Sequence, residues 1–193
     1  MPRPLREQTP GATYHITAHA VAGTKIVRND RDRQRFLDEL ASVVQRYRWA
    51  CLAVAVLDNH YHLLVRLEEP NLARGMQRLN GSYAAFFNKK YKRRGHLFGS
   101  RYYSGRIIGA GHLLMTVRYI ARNRTVAACA RDPGSDRWSS YAGVVGKAEC
   151  WPFIARAELL GYIGPAATAA SLLVDLVEGA ADGIARPARV RPP

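Results

Sequence analysis

Two histidines, His60 and His62, carry the first chemical signal in the sequence, because a single residue separates them. They open the segment His60 to Leu67, whose composition is typical of a β-strand that follows a turn. Side chains alternate between the two faces of a strand, so both imidazoles are expected on one face. Two imidazoles in this arrangement can bind a divalent cation if another residue supplies a third ligand. Taken alone, a pair at this spacing more often lines a polar surface than binds a metal.

A tyrosine on a predicted helix strengthens the interpretation of a reactive site. The helix is expected over residues 109–124, and Tyr119 and Asn123 lie on it at i and i+4, side by side. At about 100° per residue, this face lies opposite the apolar stripe of the helix, so Tyr119 is not a typical core aromatic. The apolar stripe comprises Leu113, Leu114, Val117, Ile120 and Ala121, and the better core candidates among the tyrosines are Tyr14, Tyr61, Tyr83 and Tyr141.

Together, the histidine pair and the helical tyrosine indicate a nucleophile beside a metal ion. Tyrosine is a weak nucleophile because its phenol has an ordinary pKa of about 10. A divalent cation that polarises a phosphate group, in basic surroundings, makes attack by the phenolate feasible. A phosphotyrosyl bond conserves the energy of the broken phosphodiester bond, so strands could be cut and rejoined without ATP.

The distribution of charge points to a polyanionic partner. The chain of 193 residues has a formal net charge of +14, from 29 Lys and Arg against 15 Asp and Glu. Residues 70–131 hold 13 of the basic residues and no carboxylate, whereas ordinary folded surfaces mix both signs. A block of this kind gains affinity for nucleic acid by releasing counterions from phosphates. Its interleaved aromatics and glycines favour nucleic acid over a membrane surface, which would need a basic amphipathic helix with a broad apolar face.

The order of the predicted elements favours an α+β fold with a ferredoxin-like antiparallel sheet. That order places the main helices on one face of the sheet and leaves the other face available for a functional site. An extra C-terminal catalytic helix carries Tyr119. Strands are expected over residues 13–19, 50–57, 60–67 and 97–108, and helices over about 30–48, 71–91, 109–124, 153–162 and 165–177.

The domain organisation predicted from composition is one catalytic domain with a small appendage. We expect the domain over residues 1–142, a short helical extension over 143–185 and a disordered tail over 186–193. Three cysteines are too few for a disulfide framework, no apolar stretch is long enough to span a membrane, and the N-terminus lacks the apolar region of a signal peptide. These features predict a cytoplasmic, nucleoid-associated protein.

Several segments resemble the single-tyrosine HUH endonucleases, in particular the REP-associated tyrosine transposases, whose catalytic domain is shared with small insertion-sequence transposases. The resemblance covers about residues 2–141, and the order and spacing of its segments are more specific than any one motif. The matching segments are PRPLREQTPGATYHIT, LDNHYHLLV, MQRLNGSYAAFFNKKYKRRGHLFGSRYYS, LLMTVRYIARN and RWSSY.

The resemblance implies a role for each of the reactive residues. It implies His60 and His62 as metal ligands, Tyr119 as the nucleophile and Asn123 as a third ligand. It also implies Mg²⁺ or Mn²⁺, a single-stranded DNA substrate with hairpins, and a 5′-phosphotyrosine intermediate beside a free 3′-hydroxyl. We therefore predict a metal-dependent tyrosine transposase that nicks and joins such DNA, as a monomer or a homodimer.

Three departures from the family pattern leave a second function open. Arg124 stands where the family usually has a proline, Leu57-Asp58 where many members have Met-Pro, and the segment around His19 lacks an expected Arg-Gly pair. The departures at Arg124 and around His19 favour a domesticated descendant that binds palindromic repeats without cutting them, whereas the complete His-His-Tyr-Asn set favours an enzyme. A third alternative is an RNA-binding regulator, because basic and aromatic patches alone do not distinguish RNA from DNA.

The predicted DNA-binding side chains come from the basic block and from the helix of Tyr119. Arginines that alternate with aromatic residues suit tracking of a single-strand backbone and stacking on its bases. The predicted residues are Arg74, Arg78, Lys89, Lys90, Lys92, Arg93, Arg94, Arg101, Tyr102, Arg106 and Arg122.

Overall fold

The computed structural model describes residues 8–179, a mixed α+β arrangement. The strands are β1 (Thr13–His19), β2 (Trp49–Val56), β3 (His60–Leu67) and β4 (Tyr103–Arg106). The helices are α1 (Asp30–Tyr47), α2 (Leu72–Lys90), α3 (Gly109–Val126), α4 (Tyr141–Val144), α5 (Arg156–Ile163) and α6 (Ala169–Glu178), with one 3₁₀ turn at Pro133–Ser135.

The strands form an antiparallel sheet in the order β2-β3-β1-β4. Along the chain the elements come as β1, α1, β2, β3, α2 and β4, which with this strand order is the ferredoxin-like arrangement. The predicted fold class is therefore confirmed. The register pairs Thr17 with His62 and His19 with His60, so one face of β1 lies directly beside one face of β3.

One face of the sheet packs against α1 and α2 and carries an aromatic core. Tyr61 is fully buried there: its ring centroid lies 4.6 Å from that of Phe36 on α1, and its hydroxyl donates to Oδ1 of Asn80 on α2 at 2.6 Å. Tyr83 is also fully buried and meets the Phe36 ring edge-on at 5.2 Å. The tyrosines predicted for the core are all buried. Because buried aromatic rings remove large apolar areas from water, this face stabilises the fold.

Helix α1 begins and ends where local signals in its sequence place it. The side chain of Asn29 accepts a hydrogen bond from the backbone N–H of Asp32 at 3.1 Å and so caps the first turn. Phe36 and Leu40 belong to an apolar stripe that is buried against the sheet. The helix ends at Arg48, which adopts the left-handed conformation (φ 53°).

A buried carboxylate ties the end of α2 to the start of α1. Asp32 is fully buried and accepts hydrogen bonds from Lys90 Nζ at 2.6 Å, from the Tyr91 hydroxyl at 2.7 Å and from the backbone N–H of Arg28 at 2.8 Å. Burial alone would raise the pKa of Asp32, but these partners hold that pKa below its usual value. Lys90, a predicted DNA contact, is therefore already engaged in an ion pair within the fold.

The strand predicted over residues 97–108 is shorter than expected, since only Tyr103–Arg106 forms β4. The chain before it crosses the end of β1 instead: Gly99 N–H donates to the carbonyl of His19 at 3.1 Å, and Val21 N–H donates to the carbonyl of Leu97 at 3.0 Å. A Cβ on Gly99 would lie 3.2 Å from the Cα of Val21, so this close crossing favours glycine. The residues before β4 thus form backbone hydrogen bonds with the end of β1 instead of extending β4. Local strand propensity does not predict this crossing.

The free edge of β2 is covered by the chain that follows α3. Val56 N–H donates to the carbonyl of Trp138 at 3.1 Å, and Ser140 N–H donates to the carbonyl of Val54 at 2.9 Å. Further along, Ala155 N–H donates to the carbonyl of Cys51 at 2.8 Å. These bonds satisfy backbone groups that an exposed edge strand would leave open.

The short helices α5 and α6 pack on the same face of the sheet as α3. Arg66 of β3 forms a bidentate ion pair with Glu158 of α5, at 2.5 and 2.9 Å. Arg118 of α3, which is buried, donates from Nε to the carbonyl of Leu176 on α6 at 2.8 Å. The two short helices predicted for this region are confirmed, with later starts, and the division at residue 142 stays a prediction. The predicted tail, 186–193, and residues 180–185 of the predicted extension lie outside the described residues.

No helix within residues 8–179 has the length and apolar character needed to cross a membrane.

Candidate active site between the sheet and helix α3

The two histidines of β3 lie on one face of the sheet, as their spacing predicts. They face α3, opposite the aromatic face that holds Tyr61. Their ring centroids are 4.9 Å apart and the rings are nearly perpendicular, at 85°. His62 is buried, at 3% exposure, whereas His60 near the start of the strand is half-buried.

Strand β1 adds polar side chains to this face that sequence reasoning missed. The His19 ring stacks on that of His60 at 4.5 Å, and the His15 ring stacks on that of His62 at 5.2 Å. Thr17, directly opposite His62 in the register, places Oγ1 3.1 Å from His62 Nδ1. The available signal was the alternation of TYHITAH, which puts these residues on one face of β1. That signal becomes a site only once the pairing of β1 with β3 is known.

Helix α3 brings Tyr119 onto the histidines of its own chain. The Tyr119 ring meets the His62 ring edge-on at 5.3 Å and the His15 ring at 5.9 Å. The apolar stripe of α3 packs mainly over β2, where Val117 and Ile120 lie beside Ala53. Tyr119 is half-buried rather than directed into solvent, because its ring contacts histidines of β3 and β1.

One turn after Tyr119, Asn123 reaches the other histidine of the pair. Its side chain is close enough to His60 to raise the pKa of that imidazole. His60 Nδ1 lies 2.7 Å from Oδ1 of Asn59, an acceptor, so Nδ1 donates this bond. The structure thus brings together all four residues predicted as nucleophile and metal ligands: Tyr119, His60, His62 and Asn123.

Burial keeps His60 and His15 neutral at neutral pH. Burial, together with the neighbouring His19, lowers the pKa of His60 to about 4, although Asn123 acts in the opposite direction. Burial, together with His112, lowers the pKa of His15 to about 4. Neutral imidazoles are the form that binds a metal ion, since a protonated ring has no lone pair to give.

The donor set of the site fits a divalent cation that is held by two imidazoles and an amide. Nδ1 of His60 is engaged by Asn59, and Nδ1 of His62 lies beside Thr17 and His15, so each ring would ligate through Nε2. Within residues 8–179, no cluster of three or more His, Cys, Asp or Glu side chains is placed to hold a metal. The candidate set therefore depends on Asn123 as its third donor.

Two departures from the family pattern have structural partners. Arg124, at 4% exposure, donates from Nε to Asp136 at 2.8 Å and from Nη1 to the carbonyl of Val56 at 2.5 Å, which fastens the end of α3 to the end of β2. Asp58 forms ion pairs with Lys25, at 2.7 Å, and with Arg33. Both residues act beside the site without displacing any of its reactive groups.

The predicted DNA-binding residues do not share one face. Arg74 and Arg78 are exposed on α2, behind the sheet, whereas Arg122 belongs to α3 on the side of the reactive residues. Arg101 precedes β4 and Arg106 is its last residue; β4 is an edge strand of the sheet that separates these two layers. A DNA molecule that touched all of them would have to pass around this edge. The remaining cations cluster at the end of α2: Lys89, Lys90, Lys92, Arg93 and Arg94.

Tyr102 does not fit the stacking role predicted for it. Its side chain is buried, at 8% exposure, and offers little ring surface to a base. Its neighbour Tyr103 is only half-buried and lies on the reactive face, where it pairs with Thr17. Alternation along a strand decides which of two adjacent tyrosines is buried. The sequence did not show where β4 begins, so it did not show which tyrosine would be buried.

Comparison with known proteins assigns the chain to a family and its fold to a known structural relative. The sequence profile of the family described as "Transposase IS200 like" matches residues 8–123, from just before β1 to Asn123. The chain belongs to this family. Its fold is also similar to the solved structure of a REP-associated tyrosine transposase bound to a REP hairpin, with a TM-score of 0.64 and 14% identity over 79% of this chain and 90% of that chain. No curated protein sequence matches the chain.

Proposed function

We propose that the protein is a single-stranded DNA endonuclease and strand transferase that acts through a 5′-phosphotyrosine intermediate on Tyr119. The observation that supports this proposal most strongly is the edge-on contact between the Tyr119 and His62 rings, 5.3 Å apart within one chain. Asn123, one turn along the same helix, is close enough to His60 to raise the pKa of that imidazole. The proximity of a phenol, two imidazoles and an amide in one chain supports the proposal.

The proposed reaction exchanges one phosphate ester for another. His60, His62 and Asn123 would hold Mg²⁺ or Mn²⁺, which when bound supplies positive charge to a non-bridging oxygen of the scissile phosphate. The oxygen of Tyr119 attacks the phosphorus and loses its proton to solvent, while the bond from phosphorus to the 3′-oxygen breaks. That oxygen takes up a proton and leaves as a free 3′-hydroxyl. Attack by a 3′-hydroxyl on the phosphotyrosine reverses the exchange and rejoins the strand.

We propose hairpin-containing single-stranded DNA as the substrate, bound by a monomer or a homodimer. The structural relative was solved with a REP hairpin, and this chain carries 13 Lys and Arg and no carboxylate over residues 70–131. Cations lie on α2 on one side of the sheet, on α3 on the other side and on the edge strand β4, a distribution that suits a folded DNA element more than a straight strand. The proposed place of action is the cytoplasm, at the chromosomal DNA.

The test of this proposal is formation of a covalent protein–DNA adduct. Wild-type protein with Mn²⁺ and a labelled hairpin oligonucleotide is expected to give an adduct that survives denaturing electrophoresis. Tyr119→Phe is expected to abolish the adduct and leave hairpin binding intact, because it removes only the hydroxyl. Tyr162→Phe, on the exposed surface of α5, is the matched control and should behave as wild type. An adduct that persists in Tyr119→Phe would contradict the proposal.

A second candidate function is that of a domesticated protein which binds palindromic repeats without cutting them. The departures at Arg124 and around His19 favour it, although the partners of Arg124 are structural. The same experiment separates the two functions. Hairpin binding without any adduct, in the presence of Mg²⁺ or Mn²⁺, would favour the binding protein.

A further inference from the structure

Two side chains of β1 lie against the Nδ1 atom of His62 inside the protein. Thr17 Oγ1 and His15 Nε2 are each 3.1 Å from this nitrogen. Thr17 is 8% exposed and His62 is 3% exposed, so little water can replace either contact. The rings of His15 and His62 are also stacked, at 5.2 Å and an interplanar angle of 28°.

We propose that Thr17 and His15 are positioning residues that accept hydrogen bonds from the Nδ1–H of His62 and thereby keep its Nε2 as the metal-ligating nitrogen. This inference rests on the proposed metal site but assigns to it two residues of β1. A neutral imidazole carries one proton, and ligation by one nitrogen requires that the proton sit on the other. A second partner of that kind commonly fixes both the tautomer and the orientation of a ligating histidine.

The two histidines of β3 have different hydrogen-bond partners at Nδ1, because they lie at different positions in the strand. His60, at the start of the strand, has the side chain of the adjacent residue Asn59 as the acceptor for Nδ1, at 2.7 Å. His62 lies within the strand, away from the turn before β3. Its acceptors come from the paired strand β1. Each imidazole thus has an Nδ1 partner from its own chain, and both present the same nitrogen to the site.

His15 has a second contact that extends its role to the nucleophile. Its ring meets the Tyr119 ring at 5.9 Å, while Tyr119 also lies edge-on to His62. His15 therefore contacts both His62, a proposed metal ligand, and Tyr119, the proposed nucleophile. Its removal is expected to loosen the orientation of both rings, whereas loss of the Thr17 hydroxyl should affect His62 alone.

The direct test is the tautomer of His62, read by long-range ¹H–¹⁵N correlation spectroscopy of the full chain labelled at its histidines. Wild-type protein without metal is expected to show His62 protonated on Nδ1. The double variant Thr17→Val with His15→Phe should shift His62 towards the Nε2-protonated form. Thr17→Ser keeps the acceptor and should retain the wild-type tautomer. His19→Phe alters the ring stacked on His60 and should leave the tautomer of His62 unchanged.

Metal affinity gives an independent second readout. Titration of free Mn²⁺, followed by its electron paramagnetic resonance signal, should show binding weakened by about 10- to 100-fold in the double variant. A wild-type His62 protonated on Nε2, or a double variant with unchanged tautomer and affinity, would overturn the inference. Neither measurement uses DNA, so a failure of the proposed strand transfer would be seen separately.

Discussion

The two faces of the same sheet have opposite characters. On the face covered by α1 and α2, β3 presents Tyr61 to a fully buried aromatic core around Phe36. On the face covered by α3, the neighbouring residues His60 and His62 meet Tyr119 and the histidines of β1. Because side chains alternate along a strand, one pair of strands can stabilise the fold with one face and hold the proposed active site with the other.

This division means that the site is held by rigid elements rather than by loops. His60 and His62 belong to a strand that is paired on both sides, and Tyr119 and Asn123 belong to a helix whose end is fastened by Arg124. Reactive groups on such elements keep their separation, as in-line attack on a phosphate requires. The comparison of faces predicts that variants on one face change stability, while variants on the other change chemistry.

The largest expected effect lies on the aromatic face. Phe36→Ala removes a fully buried ring that contacts both Tyr61 and Tyr83, and should lower the free energy of unfolding by about 3–5 kcal/mol. Urea denaturation measures this loss. Ile108→Ala, at a side chain that is 76% exposed, is the control and should change stability by no more than about 0.5 kcal/mol. Equal losses in the two variants would mean that this face does not carry the core.

The next effect lies on the reactive face and concerns chemistry. His60→Ala should reduce the rate of adduct formation by at least about 100-fold, because it removes a proposed metal ligand. Its free energy of unfolding should fall by no more than about 1 kcal/mol, since the side chain is only half-buried. His96→Ala, an exposed histidine outside the site, should leave the rate unchanged. Suppose that His60→Ala instead destabilised the protein strongly while its folded fraction formed the adduct at the normal rate. The proposed separation of a stabilising face from a catalytic face would then be wrong.

A smaller effect, on stability and its pH dependence, is expected at Asp32 on the aromatic side. Asp32→Asn should cost about 1–3 kcal/mol at pH 7, because Lys90 and Tyr91 lose a charged acceptor. The pKa of Asp32 is held below its usual value, so the stabilisation is fully present above the unfolded-state pKa of about 3.9. It should disappear as the pH falls through the lower folded-state pKa. Denaturation curves recorded from pH 7 to pH 2 should therefore show the difference between wild type and Asp32→Asn narrowing only below about pH 3.9. The exposed control Asp38→Asn should stay close to wild type throughout.

The smallest effect concerns DNA affinity on the α2 side. If Arg78 contacts a phosphate, Arg78→Ala should reduce the slope of log affinity against log salt by about 1, with a modest loss of binding at low salt. Arg46→Ala, exposed at the far end of α1, should keep the wild-type slope. A wild-type slope in Arg78→Ala would restrict the DNA surface to the β4 edge and α3.

Periodicity in the sequence predicted the parts of the site that depend on a single element. The spacing of His60 and His62 placed both on one strand face, and the helical period placed Tyr119 and Asn123 together. The contribution of His15, Thr17 and His19 could not be predicted in this way, because it depends on the pairing of β1 with β3 across some forty residues. Such non-local register has no short-range signal in one sequence.

The same limit explains the errors in the predicted surface. Tyr102 is buried and Tyr103 is not, because β4 begins only at Tyr103 and the preceding chain crosses the end of β1. The basic residues formed one block along the chain but were divided by the sheet into two layers. Composition predicts a basic block along the chain, but it carries no information on how the fold distributes that charge in space.

The central claim is that the hydroxyl of residue 119 becomes bonded to DNA. Mass spectrometry of the tryptic peptides from the adduct formed with Mn²⁺ and a hairpin oligonucleotide tests it directly. We predict the peptide Tyr119 to Arg122 with a 5′-phosphate linkage on its tyrosine, and a released strand that ends in a 3′-hydroxyl. A nucleotide attached to any other residue, or linked through a 3′-phosphate, would contradict the account.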